Sequence, residues 1–280
     1  MNEVIFLYVL ALIWILFASV QDLRRREVYN WISFSLVIFA IGFRFFYSLF
    51  SDSVGFGFLW QGLIGLAIFI VLGNLLYYGR MFAGGDAKLM MALGAVLPAS
   101  TSFYVNLEIY ISFVFLFLLA GAFYGLFATV RLSLKNFKEF KKDFQKRVKK
   151  QKFWFYGVMV IGLIMIGAGF FESLFITFGI LIFVFPYLYL YARSVDATCM
   201  IRKVKISEIS EGEWITQDIN VGNRTIKPSW DGLSSEDINL IKKKYKEITI
   251  KQGIPFVPVF FIAFIVFLYV WNSGLWNAFW

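Results

Sequence analysis

Histidine is absent from this 280-residue chain, and cysteine occurs once, at Cys199. Without histidine, the chain cannot form a Ser-His-Asp or Cys-His triad, a metal–imidazole site or a histidine proton relay. A single cysteine excludes an internal disulfide and a zinc site built from cysteines. General acid–base chemistry must therefore come from aspartate, glutamate, lysine, tyrosine or Cys199.

Charge is also scarce over most of the chain, since 16% of the residues are charged and 60% are hydrophobic. A typical soluble domain is about 45–50% apolar. The excess is gathered into long uncharged runs, most of which approach the roughly 20 residues that cross a bilayer. We therefore expect eight membrane helices, at residues 4–20, 32–50, 54–78, 88–97, 107–130, 153–171, 173–192 and 255–270.

The predicted fold is an all-α polytopic membrane helical bundle of about eight helices. The fourth helix is short and buried among the others. A small α+β cytoplasmic domain is inserted before the last helix. The predicted domains are the membrane bundle at 1–192, the soluble domain at 193–253, and the last transmembrane helix with its tail at 254–280. Within the soluble domain, Ser234 opens a capping-box pattern that predicts a helix through about Ile248.

The positive charges predict the topology. Of the 27 lysines and arginines, 26 lie in segments 21–31, 79–88, 131–152 and 193–253. The positive-inside rule places these segments in the cytoplasm and both termini outside. Arg44 is the exception, and we expect its side chain to extend outward to the lipid headgroups. The net charge of +9 then faces membrane lipid, and no nucleic acid partner is expected.

Segment 131–152 carries ten lysines and arginines. Its apolar residues recur at spacings of three and four, at Phe137, Phe140, Phe144 and Val148. One apolar stripe on a basic helix is typical of a helix that lies in the membrane interface. The alternative is a nucleic-acid-binding arm. Burial of the aromatic stripe in the membrane interface explains the pattern more simply.

Two aspartates stand where this topology meets the cytoplasm. Asp22 follows the first apolar run and Asp86 precedes the fourth. Two facing carboxylates at low dielectric cannot both ionise easily, so the pair shares a proton. The ionised member can take a proton from water while the protonated one donates to a carbonyl oxygen, which is aspartic protease chemistry. Gly84 and Gly85 would let a substrate strand approach the backbone closely.

Structural interpretations of these residues stay open. Asp22 precedes three arginines and could form a local ion pair or a helix-end charge. Asp86 could be only the N-cap of the short helix, with the two glycines serving as a turn. Lys88 could bias the ionisation of the aspartates or extend to lipid headgroups.

The segment Gly84-Gly85-Asp86-Ala87-Lys88-Leu89 resembles the motif of the type IV prepilin peptidases, which belong to the Gly-x-Gly-Asp intramembrane aspartic proteases. Residues 22–31 are similar to that family's first-aspartate segment, an aspartate followed by basic residues and an Asn-aromatic ending. Residues 251–261 resemble the C-terminal part of the archaeal branch, the preflagellin and prepilin peptidases. One position departs from the motif, because Ala83 stands where the family has its first glycine.

This resemblance implies a membrane-embedded aspartic endopeptidase with Asp22 and Asp86 as catalytic residues. Such an enzyme would need no cofactor or metal. The substrate would be a type IV pilin-like or archaellin precursor, cut after its short basic leader at the cytoplasmic face of the cell membrane. The zinc domain with paired Cys-x-x-Cys motifs, found in the bacterial branch, is not matched, which favours an enzyme that only cleaves.

One further expectation concerns the aspartate pair, and two rival interpretations of the chain stay open. The glycines near Asp86 suggest a mobile segment, so without substrate the two carboxylates are expected to lie too far apart to share a proton. A rival interpretation is an ion- or proton-coupled transporter or channel that uses the same acidic residues. Another is an assembly scaffold that binds through segment 193–253.

Overall fold

A computed structural model describes residues 2–51, 55–209, 211–222, 224–229 and 232–275. Helices dominate it, and a small sheet-containing segment precedes the last helix, so the predicted fold class is confirmed. The end of the predicted tail, residues 276–280, lies outside the described residues. The helices are α1 (Asn2–Arg25), α2 (Asn30–Phe50), α3 (Gly57–Tyr78), α4 (Gly84–Val96), α5 (Phe103–Lys135), α6 (Phe137–Lys150), α7 (Lys152–Ala168), α8 (Leu174–Thr198), α9 (Ser235–Lys242) and α10 (Pro258–Asn272).

The predicted apolar helices all form, but they differ in length. Within the described residues, five are long and apolar enough to cross a bilayer, namely α1, α2, α3, α5 and α8. Helices α6 and α7 make a sixth candidate if they count as one span, and they are bent by 81° at their junction. With 13 and 15 residues, α4 and α10 are shorter than a usual span.

The chain folds as two compact units. The first comprises residues 1–124 and 255–280, and the second comprises residues 125–254. Both aspartates lie in the first unit. The second holds the end of α5, the helices α6 to α8 and the segment with the sheet. The domain boundaries at 192 and 253 remain predictions.

Helix α4 is buried in the first unit because glycines bring it against α3. A Cβ added to Gly65 would lie 2.3 Å from the carbonyl oxygen of Gly94, and one added to Gly94 would lie 2.4 Å from that of Gly65. The two backbones therefore touch, as small residues permit between membrane helices. Most of the α4 side chains after its first turn are buried, as expected of a short helix enclosed by others.

Arg44 does not extend outward, so that expectation was wrong. Its side chain is fully buried. The guanidinium donates to the carbonyl oxygens of Ala95 at 2.9 Å, Val96 at 3.1 Å, Pro98 at 2.5 Å and Phe58 at 3.0 Å. The reason is that α4 ends inside the bundle, where its last carbonyls have no partner in their own helix. Arginine, with five donors, satisfies several of them at once.

In the second unit, α7 packs closely along α8. A Cβ added to Gly162 would lie 2.7 Å from the backbone nitrogen of Phe183, and one added to Gly179 would lie 2.7 Å from that of Ile166. These glycines let the two helices approach backbone to backbone. Pro186 lies inside α8, as the sequence indicates.

The strands of the second unit form two small sheets. The strands are β1 (Ile201–Lys205), β2 (Trp214–Ile215), β3 (Ile219–Val221), β4 (Arg224–Ile226) and β5 (Glu247–Lys251). Strand β5 lies between β1 and β2 and is antiparallel to both, while β3 and β4 form a separate antiparallel pair. The predicted combination of short strands and a helix is thus observed.

The helix predicted from Ser234 begins as expected but ends early. The Ser234 side chain accepts from the Asp237 N–H, and the Asp237 carboxylate accepts from the Ser234 N–H, which completes the capping box. Helix α9 ends at Lys242, and Ile248 lies in β5 instead. The extension was wrong because Ile248 and Ile250 alternate toward the small core, which is the period of a strand.

Candidate active site

Asp22 lies in the last turn of α1 and is 7% exposed. One carboxylate oxygen, Oδ2, accepts the backbone N–H of Val257 at 3.0 Å. The positive charge of Arg26 also acts on this carboxylate. The carboxylate is therefore held by the segment that leads into α10.

This contact makes Asp22 a cap for a neighbouring helix. Val257 is the N-cap residue of α10 and has no side-chain cap of its own. The first N–H groups of a helix lack partners within the helix, and a carboxylate from elsewhere can satisfy them. Ser19, one turn earlier in α1, donates to the carbonyl oxygen of Val257 at 3.4 Å. Together they fix the start of α10 against the end of α1.

Asp86 is the third residue of α4, and Ala83 occupies the N-cap position. The backbone N–H of Ala83 acts electrostatically on the Asp86 carboxylate. The interpretation of Asp86 as the N-cap itself was therefore wrong, because Ala83 takes that position.

Ala83 fits its position without strain. Its backbone is extended, with φ −70° and ψ 159°, a conformation that every residue adopts. A glycine is not required here for backbone freedom, so alanine is compatible with the backbone conformation at this position.

Contacts between backbone and side chains join the two aspartate segments. A Cβ added to Gly85 would lie 3.2 Å from the Cβ of Val28, so the residue before Asp86 packs on the loop that follows α1. Lys88 donates from Nζ to the Oδ1 atom of Asn30 at 2.7 Å, at the start of α2. The negative charge of Asp22 acts on Asp86. The structure thus brings Asp22, Asp86, Gly85 and Lys88 to one place.

The two motif glycines differ in their surroundings. A Cβ on Gly84 would meet only the ring of Tyr77, at an ordinary contact distance of 3.7 Å. A Cβ on Gly85 would force Val28 to move by a few tenths of an ångström. Close packing therefore explains Gly85, and Gly84 has no such requirement.

An aromatic cluster supports both segments from within the bundle. Phe82 is buried, and its ring centroid lies 5.7 Å from that of Phe117, 5.9 Å from Phe256 and 6.2 Å from Phe260. Phe82 precedes Asp86 by four residues, and Phe256 belongs to the segment that holds Asp22. The cluster is therefore an apolar wall that connects the surroundings of both aspartates.

The sequence did not point to two of these contacts. The segment around Val257 resembles the archaeal branch, yet nothing in the sequence indicates that the Val257 N–H bonds to Asp22. Asn30 belongs to the Asn-aromatic ending of the first motif, and its bond to Lys88 differs from both interpretations of that lysine. In the described ranges, no three His, Cys, Asp or Glu side chains are grouped as a metal site requires.

Known proteins resemble this part of the chain. Residues 9–129 match the model of the type IV leader peptidase family. A preflagellin peptidase of Methanococcus maripaludis is 26% identical over 136 residues, which cover 46% of this chain and 58% of that protein. One of Methanocaldococcus jannaschii is 31% identical over 91 residues, which cover 32% of this chain and 38% of that protein.

The matches thus span less than two thirds of either relative, and no solved structure matches the chain. Both aspartates lie within the matched residues. The resemblance found in the two motifs is confirmed, and residues 9–129 are similar to the type IV leader peptidase family.

Proposed function

We propose that this chain is a membrane-embedded aspartic endopeptidase that removes the short basic leader from precursors of archaellins or type IV pilin-like proteins. The observation that carries the proposal is the joining of the two aspartate segments by the Gly85–Val28 contact and the Lys88–Asn30 hydrogen bond. The names of the two relatives, both preflagellin peptidases, support the substrate class.

Asp22 and Asp86 have different surroundings, which suggests different roles. The backbone N–H of Val257 donates to the Asp22 carboxylate. Such a donor stabilises a negative carboxylate, so Asp22 is suited to be the ionised general base. Asp86 faces the negative charge of Asp22. It is therefore suited to be the protonated general acid.

Peptide hydrolysis follows from these roles. Asp22 takes a proton from a water molecule, whose oxygen attacks the scissile carbonyl carbon. Asp86 gives its proton to the carbonyl oxygen, and a tetrahedral diol forms. Asp22 then passes its proton to the leaving nitrogen, the C–N bond breaks, and Asp86 recovers a proton as the new carboxylic acid forms. Both aspartates end in their starting states.

The distribution of charge supports a cytoplasmic site. Asp22 lies at the end of α1 that is followed by Arg24, Arg25 and Arg26, and Asp86 lies at the α4 end preceded by Arg80. Arginines next to membrane helices favour the cytoplasmic side. A precursor with a basic leader and then an apolar helix would place its cleavage point at this same boundary.

The proposal is tested with the purified full chain in detergent and a precursor that carries a basic leader and an apolar helix. We expect a single cut between the two parts, seen by mass spectrometry as one shortened product. A precursor whose leader is deleted is the substrate control and should stay intact. If no precursor is ever cut while the reconstituted protein conducts ions or protons, the transporter interpretation replaces the peptidase.

A further inference from the structure

Helix α6 is a strongly basic helix to which the proposed function assigns no role. Its 14 residues include seven lysines and arginines but only two acidic residues, Glu139 and Asp143. Asp143 pairs with Arg147 at 2.5 Å on the same helix. The remaining basic side chains are all exposed, and they are Lys138, Lys141, Lys142, Lys146, Lys149 and Lys150.

The orientation of α6 follows from its bend against α7. The two helices meet at an angle of 81°. Helix α7 is a wholly apolar helix after its first residue and packs along α8, which is long enough to span a membrane. At 1.5 Å per residue its 17 residues extend about 25 Å, close to the hydrocarbon thickness. If α7 crosses the bilayer, α6 runs almost parallel to the membrane surface.

The apolar stripe of α6 locates the helix at that surface. The ring of Phe140 lies 5.4 Å from Tyr191 of α8 and 5.9 Å from Phe144 of α6. Part of the stripe therefore packs on α8 and not on lipid. The sequence analysis expected the whole stripe to lie in the membrane interface. Phe137, at the start of the stripe, remains 52% exposed. The lysines project from the rest of the helix surface.

We propose that α6 is a binding surface for the headgroups of anionic phospholipids. A helix held parallel to the membrane presents its lysines at headgroup level, and long lysine stems reach sideways to phosphate groups. Each such lysine adds to the attraction toward an anionic surface. This inference is independent of the aspartates, because none of its residues takes part in the proposed cleavage.

The test compares phosphatidylglycerol with phosphatidylcholine of the same acyl chains. Native mass spectrometry of the detergent-purified full chain gives an apparent Kd for each lipid. The α6 variant carries Lys→Gln at the six exposed lysines. The matched control carries Lys→Gln at six exposed lysines of the sheet-containing segment before α10. These are Lys203, Lys205, Lys227, Lys242, Lys243 and Lys246.

We expect wild type and control to bind phosphatidylglycerol about tenfold more tightly than phosphatidylcholine, and the α6 variant to lose this preference. Raising the salt concentration should weaken the wild-type preference too, a result that needs no variant to fold. The proposal is overturned if the α6 variant keeps its preference, or if the control loses as much. It is also overturned if the α6 substitutions abolish binding of nucleic acid but leave the preference for phosphatidylglycerol unchanged.

Discussion

Asp22 combines two tasks at the scale of a single residue. Its carboxylate caps α10 through Val257, and it is the proposed general base. A structural cap needs only an acceptor oxygen, whereas a base needs a group that ionises. These tasks can be separated by substitution, because asparagine retains an acceptor oxygen and alanine does not.

We predict that Asp22→Asn abolishes cleavage but unfolds close to the wild-type temperature. Asp22→Ala should abolish cleavage and also lower the free energy of unfolding by about 1–3 kcal/mol, because the buried N–H of Val257 loses its acceptor. Thermal unfolding in detergent, with cleavage assayed in parallel, measures both. Equal stability of the two variants would remove the capping role.

The motif glycines allow a second prediction at this scale. Gly85→Ala should slow cleavage about tenfold, because Val28 must move and the two aspartate segments shift apart. Gly84→Ala is the matched control for packing, since only the ordinary contact with Tyr77 meets the new methyl group. Steady-state cleavage of a precursor compares the two.

The outcomes for the two glycines distinguish packing from substrate contact. If Gly84→Ala is as slow as Gly85→Ala while both proteins keep their stability, substrate approach at Gly84 is the cause. If Gly85→Ala cleaves at the wild-type rate, the Val28 contact does not position the aspartates.

Helix α4 shows how one element is placed by residues from others. Its C-terminal carbonyls at Ala95, Val96 and Pro98 accept from Arg44, and the carbonyl of Leu97 accepts from the Tyr8 hydroxyl at 2.9 Å. Side chains from α1 and α2 thus satisfy the end of the helix whose first turn carries Asp86. The position of Asp86 therefore depends on groups at the opposite end of α4.

We predict that Arg44→Met lowers the free energy of unfolding by about 3 kcal/mol or more, because several buried carbonyls lose their donor. The exposed Arg131→Met, which removes the same charge, should change it by less than about 0.5 kcal/mol. Thermal or denaturant unfolding in detergent measures the difference. A change in the free energy of unfolding as small as that of the control would mean that the Arg44 hydrogen bonds do not stabilise the end of α4.

The elements differ in how well the sequence predicts them. Long apolar runs and the break at Pro98 are local signals, so α1 to α5 and the short α4 could be predicted. The burial of Arg44 could not, since an arginine near the end of an apolar run is equally compatible with an outward position. Three of its four carbonyl partners lie 51 to 54 residues away, at or just after the end of α4. Likewise Ile248 joined α9 in the prediction, because its strand partners are distant in sequence.

The candidate site shows the same limit. Asp22 and Asp86 are found from motif and composition, and the two segments do meet. The bond from Val257 to Asp22 joins residues 235 positions apart. No local pattern encodes such a contact, and it becomes visible only when α1 and α10 are packed together.

At the scale of the whole molecule, charge sets the predicted orientation in the membrane. In a Cys199→Ser background, a cysteine at Ser102 or Glu172 should react in intact cells with a maleimide that cannot cross the membrane. A cysteine at Lys150 should react only after the membrane is permeabilised. All three positions are exposed; Lys150 and Glu172 lie at opposite ends of α7, and Ser102 directly precedes α5. Labelling of Lys150→Cys in intact cells would contradict the predicted topology and indicate the opposite orientation.

The measurement that tests the central claim most directly is the cleavage rate of Asp22→Asn and Asp86→Asn against wild type, with one precursor under single-turnover conditions. Glu108→Gln, an exposed carboxylate at the start of α5, is the control. We predict that each aspartate variant falls by about 10³-fold or more while the control keeps the wild-type rate. Cleavage at the wild-type rate by either aspartate variant would contradict the account.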